Sequence, residues 1–449
     1  MTLKQAAFNL KTATVLRPSM TISRALQRAE TLSAEELLLR QSRRATEQAS
    51  FAMENTHFYR EKYTAAGFTL KDLQDPAAFA ELPIVEKNDI RENPELFHTA
   101  EATPHNSKPA STGGSTGEPL KLLHDLRFPA RVLEWRLFRW WGLDPSQDIA
   151  LVYRLLRTTR EASRYDRKWW PSKRFQLDAS RMDTAHIDAF LAEWNRTKPS
   201  VLIGYVGGIV ELARYLSSNG ISISPPLAIA VTAAPMTWNL RSEIEECFHA
   251  PVYDHYRCAE VPWLAGECAE RNGLHTFADV RKIEVVDPSG APSASGILGE
   301  VVVTDLTNRV FPLIRYRLGD RTSTIDGPCA CGISLPRIQS VLGRVTEAAH
   351  LPDGQVIAGE ALAQIFSKAV GSVKQFQVHQ SADYSIIVRC IPGPAPDARD
   401  SIDTVIQQMR EIVKGAVPIQ LEVVTTIPHE GGKIRYITSD VAPPTAQSA

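Results

Sequence analysis

The run Ser111-Thr-Gly-Gly-Ser-Thr-Gly-Glu-Pro119 carries the densest chemistry in the chain. Gly113, Gly114 and Gly117 let a backbone fold round an oxyanion with its N–H groups turned inward, and Ser111, Thr112, Ser115 and Thr116 add hydroxyl donors. A triphosphate tail asks for such a cradle. No Gly-Lys-Ser/Thr follows, so this is not a Walker loop; the same composition also suits a flexible linker. Farther on, Tyr256-Arg-Cys-Ala-Glu260 directly follows a predicted strand, and Pro312-Leu-Ile-Arg-Tyr-Arg-Leu-Gly-Asp320 sets a carboxylate at the end of a β segment. Leu342-Gly-Arg344 falls at a change of composition, and Gly431-Gly-Lys-Ile-Arg435 holds a lysine in a glycine-flanked loop. Each has a plain alternative: a strand end, a solvated turn, a domain linker, a basic tail.

Cysteine and histidine form a second constellation. Cys268 is followed by His275, and Pro328-Cys-Ala-Cys-Gly332 supplies Cys329 and Cys331. Three thiolates and an imidazole match a tetrahedral Cys₃His zinc site, which with every position filled by protein is structural; unrelated reduced cysteines are the alternative. Cys247, Cys258 and Cys390 sit in apolar or strand contexts and read as buried thiols. Cys258 lies inside the Tyr256–Glu260 patch and His255 borders it, so both are candidates for lining a substrate pocket; His124 and His186 stay unassigned. Trp135-Arg-Leu-Phe-Arg-Trp-Trp141 and Arg167-Lys-Trp-Trp-Pro-Ser-Lys-Arg174 mix rings with cations as single-strand binders do. The helical spacing of the first marks it as a packed helix, and the second reads as a loop that could wall a pocket.

These residues need elements to hold them. Ser23 to about Ala66 has helical spacing, with Ser33 and Glu36 as a capping box. Asp89–Leu96 reads as a short charged helix, and Asn106–Pro119 as loop. Beyond it, buried strands at Ile149–Tyr153, Ser200–Gly204, Ala228–Thr232 and Pro251–Tyr253 alternate with helices at Thr184–Trp194, Val206–Asn219 and Thr237–Phe248, which predicts a parallel or mixed sheet with helical cover. From Leu274 to Thr322 the texture is β. A compact α+β tail follows, with helices at Gly359–Val370 and Asp400–Lys414 and strands at Lys374–Val378, Ser385–Arg389 and Ile419–Thr425. The fold class is α/β: a large N-terminal domain over 1–342, with a β-rich, zinc-binding part at about 264–340, and a small C-terminal domain over 343–449.

The whole is 449 residues, about three folding units at ~150 each. With 43% hydrophobic and 22% charged residues it has an ordinary globular composition. A net charge of −1 leaves no global field for a polyanion, which argues against nucleic acid as a partner. No apolar run approaches the ~18–20 residues of a membrane span. Six cysteines without a secretory signal of the usual form point to a reducing cytoplasm. No repeat is visible.

Taken in order, from Leu82-Pro-Ile-Val-Glu-Lys87 to Lys433, the motifs resemble those of the adenylate-forming superfamily, most closely its phenylacetate–CoA ligase-like branch, which includes proteins of polysaccharide and natural-product pathways. The resemblance covers nearly the whole chain. It implies an ATP-dependent, AMP-forming acid ligase in which Thr112–Gly117 hold the β- and γ-phosphates, Tyr256 stacks near the adenine, and Glu260 holds Mg²⁺. By the same resemblance Asp320 binds the ribose, Arg344 helps at the domain hinge, and Lys433 bridges the acid and the α-phosphate. Two anions meet in that reaction, so a lysine and a metal must neutralise charge that builds in the transition state. An aromatic acid and coenzyme A are the implied substrate and acceptor. An amine acceptor, or a silent nucleotide-binding module, are the rival readings. The chain departs from the pattern at Glu118, at Ala259, at Ala233-Ala234-Pro235 in the acid pocket, at Thr346-Glu347 after the hinge, and at His350–Gly354 where a pantetheine tunnel is lined. These departures leave adenylation intact and the acceptor open. Oligomeric state, monomer or homodimer, is not legible.

Overall fold

The structure is a computed structural model that describes residues 2–111, 120–154, 159–341, 348–353, 356–358, 366, 369, 372–393, 395–427 and 437–441. The chain divides into two compact units. The first comprises Met1–Ile149, Thr159–Arg174 and Tyr253–Val341; the second comprises Ala150–Thr158, Phe175–Val252 and Leu342–Ala449.

In the first unit the N-terminal helical stretch is broken into Arg17–Ala29, Ala34–Asn55 and His57–Ala65. Ser33 and Glu36 form the expected reciprocal capping box. Thr56 ends one helix and caps the next by accepting from the Tyr59 N–H, so a hydroxyl where the sequence suggested continuous helix makes the break. Lys87–Glu92 is the short charged helix. The Asn106–Pro119 segment is not all loop: Ser107–Ser111 is a strand, paired antiparallel with Lys121–Asp125.

Two antiparallel sheets complete this unit. One has the order Arg281–Val286, Gly299–Asp305, Tyr316–Thr322. Arg315, immediately before the last of these strands, donates to the Ala80 and Leu82 carbonyls, and Val85 exchanges backbone hydrogen bonds with Arg315 and Arg317. The segment Leu82–Lys87 is thereby sewn onto the sheet. In the other, the Val252–Tyr256 strand is followed by Ala265–Glu267, Leu274–Thr276, Arg337–Ile338 and Thr324–Ile325. The Arg131–Trp140 helix packs its rings beneath it. Trp141, just past that helix, stacks on Tyr253 with centroids 4.9 Å apart and donates its indole N–H to the Glu267 carbonyl. Trp135, Trp140 and Trp141 are therefore core residues, as helical spacing predicted for this stretch. The Arg167–Arg174 stretch is not one loop: it spans the end of the Thr159–Trp169 helix and the start of the Arg174–Asp178 strand.

In the second unit, Val201–Tyr205 and Ala228–Thr232 pair in parallel, in the sheet order Ala228–Thr232, Val201–Tyr205, Ile149–Tyr153, Arg174–Asp178. Helices Thr184–Thr197, Val206–Ser218 and Trp238–Phe248 connect the strands. A four-stranded sheet of order Ile419–Val423, Ile386–Pro392, Val373–Gln380, Ile437–Ser439 carries the Ala398–Ile412 helix. Most of the helix expected at Gly359–Val370 lies outside the described residues. The fold is α/β with mixed sheets. No helix among the described residues is long and apolar enough to cross a membrane.

Candidate functional site

The Val252–Tyr256 strand ends at Tyr256, 8% exposed, whose phenol donates to Asp320 Oδ2 at 2.6 Å. Burial, then the Asp320 carboxylate, push the phenol well above its ordinary value, so it stays protonated and donates. A register shift brings Asp320 there. Val302 faces Arg317 but Glu300 faces Arg321, so three residues, Leu318, Gly319 and Asp320, oppose Val301 alone, and Gly319 takes φ +77° within the excess. A bulge of this kind re-aims a side chain out of the ladder.

Past Tyr256 the chain turns on itself. Cys258 Sγ accepts from the Val261 N–H at 3.2 Å and lies 3.3 Å from the Val261 carbonyl. Burial first, and Glu260 second, raise the thiol well above its usual range, so it acts as a turn-holding thiol and not as a nucleophile. His124 Nε2 donates to the Ala259 carbonyl at 2.7 Å, tying the Lys121–Asp125 strand to the turn. Burial holds this imidazole below its usual pKa, so it is neutral with the proton on Nε2. Sequence reasoning left His124 unassigned; the nearest signal was its place in an alternating apolar run.

Glu260 is 4% exposed. Its carboxylate is a hard oxygen donor of the kind that fits a magnesium ion. His255 is 1% exposed with both ring nitrogens unpartnered, and it stacks on Trp263 at 5.1 Å. Burial, then the Arg257 guanidinium, hold its pKa well below 6.5. Ser111 is exposed at the end of its strand. Ala233 and Ala234 lie in the second unit just past Ala228–Thr232; Ala233 adopts φ +74°, a left-handed conformation costing about 1–2 kcal/mol in a residue with a Cβ. Thr112, Gly113, Gly114, Ser115, Thr116, Gly117, Arg344 and Lys433 lie outside the described residues.

The cysteines converge as the spacing suggested. Cys268, His275, Cys329 and Cys331 put one donor atom each within 4.8 Å of all the others. Cys268 Sγ is 3.8 Å from Cys329 Sγ, and Cys331 Sγ is 3.3 Å from His275 Nε2. His275 Nδ1 lies 2.8 Å from the Leu335 carbonyl; donation there leaves the Nε2 lone pair facing the sulfurs, an arrangement common around metal-bound imidazoles. Burial first, with Cys331 and Cys329 adding to it, pushes the Cys268 thiol up to about 12, so it is a cation that would make this quartet a thiolate set. Soft donors in this number fit zinc.

No protein-family model matches the chain. Among curated proteins it is 28% identical over 326 residues to phenylacetate–coenzyme A ligase of Escherichia coli (strain K12), covering 70% of this chain and 72% of that protein. It is 22% identical over 416 residues to Protein CapK of Staphylococcus aureus, with 89% of each covered. Among solved structures, 2-hydroxyisobutyryl-CoA ligase in its postadenylation state superposes with a TM-score of 0.74 at 19% identity, with 92% of each chain covered. These likenesses are to the adenylate-forming superfamily. Within it the likeness is to the phenylacetate–CoA ligase branch, and the protein is an enzyme, an acid ligase of the adenylate-forming type. Tyr256, Glu260 and Asp320 lie together in the first unit.

Proposed function

We propose that this ligase activates a carboxylic acid, an aromatic one on the likeness to phenylacetate–CoA ligase, as its acyl-adenylate and passes the acyl group to coenzyme A. The observation that carries the reading is the meeting of Tyr256, Asp320 and Glu260, drawn from two segments some sixty residues apart to one place in the first unit. A structure of 2-hydroxyisobutyryl-CoA ligase holds both an acyl-adenylate and CoA, which supports the acceptor.

Asp320, held at 2.6 Å by Tyr256, binds the ribose hydroxyls of ATP. His124 fixes the Ala259 carbonyl, and with it the turn that presents Glu260. Thr112–Gly117 cradle the outer phosphates through backbone N–H groups, with Ser111 at the strand end. Arg344 assists the ribose at the boundary of a lid, residues 343–449, and the lid delivers Lys433 to the oxygens where the acid meets the α-phosphate. That charge is worth most in the transition state, when the two anions are closest. Magnesium at Glu260, when bound, supplies further neutralisation of the phosphates. His255, Cys258, Ala233 and Ala234 border the acid. Zinc on Cys268, His275, Cys329 and Cys331 is structural, and the enzyme works in the cytoplasm.

Pyrophosphate release from ATP with a panel of aromatic and aliphatic acids tests the first half-reaction, and product masses with CoA or with amines test the second. A thioester is expected. An amide would move the acceptor to an amine, and no pyrophosphate with any acid would leave only a nucleotide-binding module.

A further inference from the structure

Arg337 is buried, 6% exposed, beside the two loops that carry the metal-site residues. The Arg337–Ile338 strand pairs with Leu274–Thr276, so that Arg337 stands opposite His275, and on its other edge with Thr324–Ile325. From there the guanidinium reaches back to both loops. Nη1 donates to the Asn272 carbonyl at 2.9 Å, inside the stretch from Cys268 to His275. Nη2 faces the Asp326, Gly327 and Pro328 carbonyls at 3.5, 3.2 and 3.3 Å, the last of them in the peptide that joins Cys329. Gly327 takes φ +78°, a conformation that lets successive carbonyls turn to one side. One planar cation therefore spans the half of the quartet made by Cys268 and His275 and the half made by Cys329 and Cys331.

The charge of that cation is not met by an acid. Among the described residues no carboxylate lies within ion-pair distance of Arg337, and Asp326 meets it through its backbone oxygen. Glu30, whose carbonyl accepts from Ser334 close to the quartet, is already taken. Arg139 bonds both of its carboxylate oxygens, at 2.6 and 2.7 Å, and Arg136 Nε lies 3.0 Å from one of them. A guanidinium held out of water needs acceptors for its N–H groups and an anion for its charge. The carbonyls supply the acceptors. The anion is the quartet once it is loaded: three thiolates, a neutral imidazole and a divalent ion sum to a net charge of −1, which one guanidinium cancels. Thiol ligands shed their protons when they bind the ion, so this balance belongs to the loaded state.

We propose that Arg337 is a positioning residue of the metal centre: it holds the two ligand loops in register and supplies the counter-charge of the monoanion that Cys268, His275, Cys329 and Cys331 form around a divalent ion. The inference rests on the zinc reading of the quartet and adds the group that acts on it from outside. A lysine in this place keeps the charge and loses the fork, because one ammonium cannot bond Asn272 and the 326–328 turn together. A glutamine loses both.

The test compares full-length wild type with Arg337→Gln and Arg337→Lys, each stripped of metal and titrated with zinc against a chromophoric chelator. Arg337→Gln should bind zinc about 10–100-fold more weakly, and Arg337→Lys should fall between it and wild type. Cobalt(II) in place of zinc should keep its thiolate charge-transfer band in both variants, because the four donors are untouched. Melting separates this role from a merely structural one. Arg337→Gln should lower the melting temperature of the zinc-loaded protein and leave that of the stripped protein unchanged or raised, since binding free energy is lost only where metal is bound. Equal losses with and without zinc, or equal zinc affinity in all three proteins, overturn the proposal. Should Arg337→Gln fail to fold, Arg337→Lys makes the same comparison. Wild-type protein that takes up neither zinc nor cobalt would remove the zinc reading itself, and this role with it.

Discussion

Cys331→Ser is expected to strip zinc from the protein and to lower the melting temperature of the first unit by on the order of 10 °C. The geometry sets the first part. With Zn–S bonds of ~2.3 Å, the edge of a tetrahedron is ~3.8 Å, and the Cys268–Cys329 sulfurs stand 3.8 Å apart. A serine hydroxyl keeps its proton near neutral pH and cannot replace a thiolate. The magnitude follows from what the metal ties. Cys268 and Cys329 are 61 residues apart, and a cross-link closing a loop of about that length removes ~4 kcal/mol of unfolded-state entropy. The elements beside it cannot compensate, because Thr324–Ile325 and Arg337–Ile338 are two-residue strands. At roughly 2–4 °C per kcal/mol for a domain of this size, the loss is readily seen by calorimetry. Metal content by atomic emission, on protein purified without added zinc, should show one zinc per wild-type chain and near none in the variant. A strong chelator should lower the wild-type melting temperature to match. Wild-type protein carrying no zinc, with its thiols freely labelled and its melting unmoved by chelator, would refute the reasoning.

Tyr256→Phe should raise KM for ATP by roughly tenfold, since a charge-assisted hydrogen bond to Asp320 worth ~1.5–3 kcal/mol is lost; an unchanged KM in a normally melting variant would mean Asp320 is placed by the bulge alone. Lys433→Ala should leave ATP binding near wild type while adenylation, followed by pyrophosphate exchange, drops by orders of magnitude; exchange at the wild-type rate would remove Lys433 from the chemistry. Stability should fall as pH drops below about 6.5, because folding depresses the pKa of His255 and the unfolded chain then binds more protons. Its contribution is fully present above that value and is lost on the acid side. The urea midpoint of wild type should therefore fall relative to that of His255→Phe as the pH drops, and parallel curves from pH 7.5 to 5 would show that His255 is not the group responsible.

How much of this was legible beforehand differs from residue to residue. The order of the motifs, the capping box at Ser33 and Glu36, the buried strands around Ile149 and Ala228, and the Cys268–His275–Cys329–Cys331 quartet could all be read from the chain, because each is written in local spacing or in residue type. Three features of the site could not. Ser107–Ser111 reads as loop on composition and becomes a strand only because Lys121–Asp125 pairs with it. His124 acquires a role only when that strand is brought against the Ala259 carbonyl. Asp320 meets Tyr256 only through a register shift between Gly299–Asp305 and Tyr316–Thr322. Strand partners and register are settled by backbone groups that every residue shares, in competition across the whole chain, and not by the side chains of the segment itself. Side-chain type thus marked which groups could do the chemistry, while long-range pairing decided which of them face one another.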